Sequence, residues 1–335
     1  MAFAPDAYKP RRWLSNGHLQ TIVGNFLPRQ NDLPTAVAEL VEVSPAQGSR
    51  ISSQVLCHCH WQPEAVRAQQ LTVILVHGLE GSSSSQYVVG NANKLWRAGA
   101  NVIRMNMRNC GGTEQLSPTL YHSGLSGDVL AVMRAFTTRY GLHSVALVGY
   151  SMGGNLVLKL AGEQGSLPEL KAVVGVSPAI DLGPSADALH LPVNRLYERR
   201  FLKALLQRFR RKAMLFPRVY DPNRAANIGS VREFDERITS LYSGFSGADD
   251  YYFRAASARV LDRIAVPTLI LHALDDPFIR LTEETREKIM VNPNIALIET
   301  KNGGHCAFLA PPDLAQGDDG YWAESTLLQF LMSHA

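Results

Sequence analysis

Short apolar runs rich in β-branched residues alternate with amphipathic segments along most of this chain, and this alternation limits the possible folds most strongly. Parallel strands that are buried on both faces give such runs, and amphipathic helices join them. The predicted strands are residues 72–76, 102–105, 145–148, 172–176, 268–272 and 296–299. The predicted helices are residues 87–98, 127–140, 153–163, 282–290 and 321–332. The pattern predicts an α/β fold with a mostly parallel, doubly wound sheet.

Two parts of the chain depart from this rhythm. Residues 36–43 and 54–61 have no helix between them, which predicts an antiparallel pair at the N-terminal edge of the sheet. Residues 181–256 show helical spacing and no convincing strand, which predicts a helical cap inserted between two core strands. Since α/β folds often exceed 250 residues as one unit, we expect residues 1–335 to form a single domain with this cap.

The pentapeptide centred on Ser151, Gly-Tyr-Ser-Met-Gly, lies between a predicted strand and a predicted helix. A serine at the tip of such a sharp turn adopts a strained conformation, and the residues two positions away must be small so that strand and helix can pass closely. The helix N-terminus behind the serine offers unpaired amide N–H groups to negative charge. The context predicts that Ser151 is a catalytic nucleophile. The alternative is tight packing in a nucleotide-binding fold, but the chain has neither a G-x-G-x-x-G motif nor a lysine-bearing phosphate loop.

A glycine-rich loop, residues 77–81, follows the predicted strand 72–76. Such a loop can direct backbone N–H groups at the same point as Ser151, and acyl transfer needs two donors for the tetrahedral oxyanion. We assign these donors to the amides of Leu79 and Met152. His77 is expected to hold the loop by hydrogen bonding, and Glu80 is expected to face solvent or a loop partner.

A serine hydroxyl needs a histidine to accept its proton and an acid to orient that histidine. The loops after the last two predicted strands carry Asp275 and Asp276, and then His305, so that the three side chains occur in the chain order Ser, Asp, His. We favour Asp276 because the following proline stiffens its turn. Asp275 is the nearer alternative and Asp181 the remote one. His305 is predicted to be the general base.

With these residues placed, the sequence resembles the YheT-like, ABHD-type branch of the α/β hydrolases, the UPF0017-type serine esterases. The resemblance covers most of the chain and rests on eight segments, residues 16–21, 76–83, 109–112, 149–155, 233–235, 249–252, 273–278 and 303–305. It implies a Ser-Asp-His triad and hydrolysis of carboxylic esters, with lipid or acylglycerol substrates in some members. Met152 stands where relatives often carry leucine, a change that conserves side-chain volume.

Other features carry weaker functional signals. A net charge of +3 does not favour nucleic acid binding. The Cys57, His58, Cys59 and His60 run suggests a metal cluster, but strand alternation would separate its cysteines from its histidines, so no metal or cofactor is expected. No secretion signal or membrane span is visible, and four cysteines do not suggest a disulfide framework, so we expect a cytoplasmic protein.

Residues 195–218 carry nine basic side chains and one acid, with apolar residues at helical spacing. The simpler interpretation is a cap helix that packs its apolar stripe on the core and exposes its charges. The alternative is a basic helix that contacts an anionic membrane and admits acyl chains to the site.

The sequence therefore predicts a serine ester hydrolase with a small-molecule or lipid ester substrate and an acyl-enzyme intermediate. The same triad would also support acyl transfer to an alcohol if the cap excluded water. A binding protein that kept the fold without catalysis is the alternative from another functional class.

Overall fold

One sheet forms the centre of the computed structural model, which describes residues 3, 5–46, 51–313, 315 and 317–334. Its strands are β1 (Val37–Ser44), β2 (Ser53–His60), β3 (Thr72–Val76), β4 (Asn101–Met105), β5 (Val145–Tyr150), β6 (Leu170–Val176), β7 (Thr268–Ala273) and β8 (Ile295–Thr300). They lie in the order β1-β2-β4-β3-β5-β6-β7-β8. β2 pairs antiparallel with both β1 and β4, and all other neighbouring pairs are parallel. This confirms the predicted fold class, including the antiparallel N-terminal edge.

The burial of residues along each strand explains why apolar runs in the sequence predicted the strands. Every residue of β5, at the centre of the sheet, is buried. β1 has a neighbour on only one side, and most of its residues are exposed or half-buried. Central strands therefore read as continuous apolar runs, and edge strands do not.

Helices cover both faces of the sheet. In chain order they are α1 (Gly17–Phe26), α2 (Glu64–Arg67), α3 (Gln86–Arg97), α4 (Ser126–Tyr140), α5 (Met152–Gln164), α6 (Leu182–His190), α7 (Arg195–Leu215), α8 (Val231–Phe234), α9 (Ser240–Ser243), α10 (Ala248–Ala255), α11 (Glu283–Val291) and α12 (Trp322–Met332). α3 and α12 pack on one face of the sheet, and α4 and α5 pack on the other. The five predicted helices correspond to α3, α4, α5, α11 and α12, whereas α1 was not predicted.

The segment between β6 and β7 contains α6 to α10 and a π-helical turn, Asp235–Thr239. All of residues 181–256 are described, and none of them is in a strand. The buried apolar side chains of these helices join the same core cluster as α4 and α5. The inserted helices therefore share one apolar core with α4 and α5.

Three of the free cysteines, Cys57, Cys59 and Cys110, are buried, and Cys306 is half-buried. Within the described ranges, no helix is long and apolar enough to cross a membrane.

Candidate active site

Ser151 occupies the turn between β5 and α5 in a backbone conformation that residues other than glycine rarely adopt. Its φ is 54° and its ψ is −117°. A strained residue of this kind persists only when neighbouring contacts hold it. The Ser151 N–H donates to the Val176 carbonyl (2.9 Å), and the Ser151 carbonyl accepts from Asn155 and Ala179 (3.1 Å each). The turn is therefore held by the neighbouring strand, by its own helix and by the segment after β6.

The two glycines that flank Ser151 allow strand and helix to pass closely. A Cβ atom on Gly149 would lie 2.2 Å from the Gly153 carbonyl oxygen. A Cβ atom on Gly153 would lie 2.4 Å from the carbonyl oxygens of Val76 and His77. Real Cβ atoms do not approach backbone this closely, so any larger residue must displace β3 or α5.

Gly153→Ala is expected to lower the free energy of unfolding by about 1–3 kcal/mol, the usual cost of overpacking a tight core. Gly127→Ala on α4 is the matched control, because a Cβ there meets nothing within 4 Å. The control should leave stability unchanged or raise it slightly. Urea unfolding midpoints compare the two, and an equal stability for both variants would contradict the close-packing argument.

His305 and Asp276 form a hydrogen-bonded pair on the loops after β8 and β7. His305 Nδ1 lies 2.8 Å from Asp276 Oδ2, and the Asp276 side chain is fully buried. The other oxygen, Oδ1, accepts from the N–H groups of Phe278 (3.1 Å) and Ile279 (2.9 Å). Burial would raise the pKa of Asp276, but the His305 ring and these two N–H groups outweigh it and lower the pKa. The carboxylate is thus held ionised and pointed at His305.

Asp275 and Asp181 have different partners. Asp275 Oδ1 accepts from the Gly304 N–H (2.8 Å), so Asp275 contacts the loop that carries His305 and not the imidazole ring. Asp181 accepts from the Thr282 N–H (2.8 Å) and the Thr285 hydroxyl (2.9 Å) at the start of α11. Of the three candidate acids, Asp276 is the one hydrogen bonded to His305.

Ser151 and His305 line the same cavity, together with Gly78, Leu79 and Cys306. Burial opposes protonation of His305, whereas the Cys306 sulfur and the Asp276 carboxylate favour it, and the balance raises the pKa of His305 above its ordinary value. Because Nδ1 is hydrogen bonded to Asp276, Nε2 is the ring nitrogen that can accept a proton from a group in the cavity.

The amides of Leu79 and Met152 belong to two different segments near Ser151. Met152 opens α5, and Leu79 lies in the loop after β3. In the described part of the chain, neither N–H donates to a protein acceptor. Gly78 lies directly against the Ser151 turn, since a Cβ on it would be 3.1 Å from Ser151 Cβ. One free N–H donor therefore lies on the residue after Ser151, and the other on the residue after Gly78.

His77 fixes the loop after β3. Its Nδ1–H donates to the Gly78 carbonyl (2.8 Å), and its Nε2 accepts from the Met107 N–H (3.1 Å). Burial lowers the pKa of His77 to about 4, so the ring is neutral at physiological pH. Glu80 faces protein partners and not solvent: its carboxylate pairs with Arg208 of helix α7 and accepts from the hydroxyl of the loop residue Tyr121.

Helix α1 supports the His305 loop, a role that sequence reasoning missed. The Thr21 hydroxyl oxygen accepts from the His305 N–H (2.8 Å). A Cβ atom on Gly17 would lie 1.9 Å from the Asp275 carbonyl oxygen, and one on Gly304 would lie 2.4 Å from the Gly17 carbonyl oxygen. Asn16 caps the helix by accepting from the N–H groups of His18 and Leu19. An asparagine before an apolar run was the available signal for a helix start, but its contacts with the distant loops are tertiary.

A second, largely apolar cavity also reaches Ser151. It lies between Ser151 and the inserted helices. Its apolar lining from α6 and α7 includes Leu182, Leu189, Phe201, Leu205 and Phe209. An elongated apolar group attached to an acyl carbon at Ser151 would be buried there.

The expectation that α7 exposes its charges is wrong for three residues, the acid Glu198 and the cations Arg208 and Lys212. Arg208 is buried and pairs with Glu80 and Glu114. Lys212 is also buried, and its ammonium donates to the Glu114 (3.0 Å) and Ser117 carbonyls. Burial lowers the pKa of Lys212 to about 7. These two cations anchor α7 to the core, and membrane contact through residues 195–218 stays a prediction.

The Cys57, His58, Cys59 and His60 run alternates along β2. Both cysteines are buried in the core, whereas His58 Nδ1 contacts the Ser83 hydroxyl (2.8 Å) and His60 Nε2 accepts from Arg104 (3.1 Å). Across the described ranges, no group of three or more His, Cys, Asp or Glu side chains could hold a metal ion.

Comparison with known proteins places this arrangement among related folds. Residues 72–312 match a family model described as alpha/beta hydrolase fold. The chain is 30% identical over 329 residues to the Escherichia coli (strain K12) protein named "Putative esterase YheT", covering 97% of this chain and 93% of that protein. It is 28% identical over 305 residues to Phospholipase ABHD3 of Homo sapiens, covering 91% and 74% of the two chains.

A solved structure shows the same fold. The crystal structure of the 2,6-dihydroxy-pseudo-oxynicotine hydrolase matches with a TM-score of 0.57 and 16% sequence identity, covering 95% of this chain and 71% of that one.

Proposed function

The chain belongs to the α/β-hydrolase family, in its YheT/ABHD-type branch, and we propose that it hydrolyses carboxylic esters through Ser151, His305 and Asp276. The observation that carries the proposal is the His305–Asp276 hydrogen bond beside the cavity that Ser151 also lines. Nucleophile, base and orienting acid are the three parts that acyl transfer to serine requires.

The reaction follows from the positions of these groups. The Ser151 hydroxyl attacks the acyl carbonyl while His305 Nε2 accepts its proton, and Asp276 stabilises the resulting imidazolium. The N–H groups of Leu79 and Met152 donate to the oxyanion, each contributing about 3 kcal/mol of transition-state stabilisation. His305 then protonates the departing alcohol. Water, activated by the same imidazole, releases the acid from Ser151.

The apolar cavity favours a substrate with an extended acyl chain. α6 and α7 supply much of its lining, so we assign residues 181–256 the role of a helical cap on a single α/β domain. The name of the human relative, a phospholipase, agrees with a lipid ester.

A series of p-nitrophenyl esters tests this assignment. We expect kcat/KM to rise from the acetate to the octanoate, because each buried CH₂ contributes about 0.8 kcal/mol where the cavity accepts it. A steady fall in kcat/KM with acyl length would contradict a lipid substrate.

Reaction with a fluorophosphonate probe tests whether the protein is a serine hydrolase or a binding protein. Absence of both labelling and ester turnover would indicate a binding protein.

The acid limb of the pH profile should report His305. Because the pKa of His305 is raised, the imidazolium persists to higher pH, and activity should be lost as pH falls through a value above the ordinary histidine value of about 6.5. The measurement is kcat/KM against pH with two esters that have different leaving groups. Both should give the same apparent pKa, and a common value below about 6 would contradict the assignment.

A further inference from the structure

The side chain of Arg208 links the inserted helix α7 to the loop that carries Leu79. Its Nε lies 2.9 Å from Glu80 Oε1 and its Nη2 lies 3.0 Å from Glu80 Oε2, a two-pronged pairing. Only about a tenth of each side chain is exposed. We propose that Arg208 is a positioning residue that acts through Glu80 to orient the Leu79 N–H for the oxyanion. This inference rests on the proposed ester hydrolysis.

Backbone contacts fix the loop on the N-terminal side of Leu79. The Gly78 carbonyl accepts from His77 Nδ1–H (2.8 Å) and from the Gly81 N–H (3.0 Å). The Gly78 N–H donates to the Tyr87 hydroxyl (2.9 Å). Because the peptide unit is planar and trans, the Leu79 N–H points opposite to the Gly78 carbonyl. These contacts therefore hold the loop on the N-terminal side of the Leu79 N–H.

Side-chain contacts hold the loop on the C-terminal side of Leu79. Glu80 has a φ of 57°, in the left-handed region that a non-glycine residue adopts at a cost. Its carboxylate accepts from Arg208 and from the Tyr121 hydroxyl. Loss of the Arg208 contacts would let Glu80 relax toward negative φ, which would rotate the adjoining peptide units and move the Leu79 N–H.

Arg208 is itself fixed by further contacts. Its Nη1 donates to the Asn109 carbonyl and to Glu114 Oε1 (3.3 Å). A buried ion pair is not required for stability alone, since apolar side chains of similar volume can replace one without loss. A planar guanidinium does, however, impose direction on a carboxylate, which a lysine ammonium does not. The pairing is suited to hold the geometry of the loop.

Arg208 also lines the apolar cavity, as do Leu79 and the α7 residues Leu205 and Phe209. The helix that would contact the acyl chain is therefore the helix that supports the proposed oxyanion donor. On this inference the insertion is part of the catalytic apparatus and not only a cover.

The test compares Arg208→Lys and Glu80→Gln with the wild-type protein, using p-nitrophenyl butyrate. We expect kcat to fall about 10- to 100-fold, less than the 10²- to 10³-fold loss on removing a donor outright, with KM within about twofold. The rate of fluorophosphonate labelling should fall in parallel. Arg211→Met is the matched control, because Arg211 pairs with the same Glu114 from a half-exposed position; its kcat should stay within about twofold.

The double variant separates positioning from general destabilisation. If Arg208 acts through Glu80, Arg208→Lys should add little to the loss already caused by Glu80→Gln. Wild-type kcat in Glu80→Gln, with thermal unfolding showing a folded protein, would overturn the inference, even if Arg208→Lys failed to fold. Equal losses in Arg211→Met would also overturn it. Absence of turnover by the wild-type protein would instead overturn the proposed function.

Discussion

Ser151→Ala is expected to reduce kcat/KM for p-nitrophenyl butyrate by about 10⁴- to 10⁶-fold and to abolish labelling by a fluorophosphonate. Loss of the nucleophile in a serine hydrolase leaves only the contributions of binding and the oxyanion donors. The protein should stay folded, because the contacts that hold the Ser151 turn are made by its backbone N–H and carbonyl. The measurements are steady-state hydrolysis and the stoichiometry of labelling.

Ser84→Ala is the matched control for this substitution. Ser84 is exposed in the serine-rich loop after β3, and its hydroxyl is not part of the proposed machinery. The control should keep wild-type turnover and label with one probe per chain. Turnover by Ser151→Ala within about tenfold of the wild-type rate would show that another group performs the attack.

Asp276→Asn is expected to lower kcat by about 10⁴-fold, with little change in fold. The carboxylate accepts from His305 Nδ1–H, and an amide that presents its NH₂ group there would favour the wrong tautomer of the ring. The imidazolium formed during attack would also lose its compensating charge. The measurement is kcat for p-nitrophenyl butyrate together with a thermal unfolding curve.

Asp275→Asn is the natural comparison, because it makes the same chemical change one residue away. Its amide oxygen can still accept from the Gly304 N–H, so we expect a loss of less than about tenfold. A larger loss in Asp275→Asn than in Asp276→Asn would contradict the assignment of Asp276 as the orienting acid.

The sequence was sufficient for the architecture because the relevant signals are local. Runs of β-branched residues mark buried strands wherever they occur, and the five predicted helices have their apolar residues at helical spacing. The small residues Gly149 and Gly153 around Ser151 could be predicted from the turn alone. Ser151 was predicted in a turn after a strand, and Asp276 and His305 in loops after the last two predicted strands; these residues follow β5, β7 and β8.

Sequence reasoning was weaker where one residue serves a distant segment. Asp275 and Asp276 are chemically identical neighbours, and only the packing of two loops determines which carboxylate meets the imidazole. Thr21 lies 284 residues from His305 in the chain, yet it holds the His305 backbone. The spacing of apolar residues within one segment does not show which distant residue that segment will contact.

Helix α7 also shows which properties the sequence predicted and which depended on tertiary contacts. Its spacing predicted an amphipathic element at residues 195–218, and α7 spans Arg195–Leu215. Which of its cations would be buried was not predictable, because burial of Arg208 depends on acceptors from the loops after β3 and β4, which are about a hundred residues away. The sequence alone determined most of the secondary structure, the class of the sheet and the chain order of the proposed catalytic residues, since these depend on short-range patterns. The tertiary structure alone decided which side chains pair, since hydrogen bonds and charge burial depend on contacts between segments far apart in the chain.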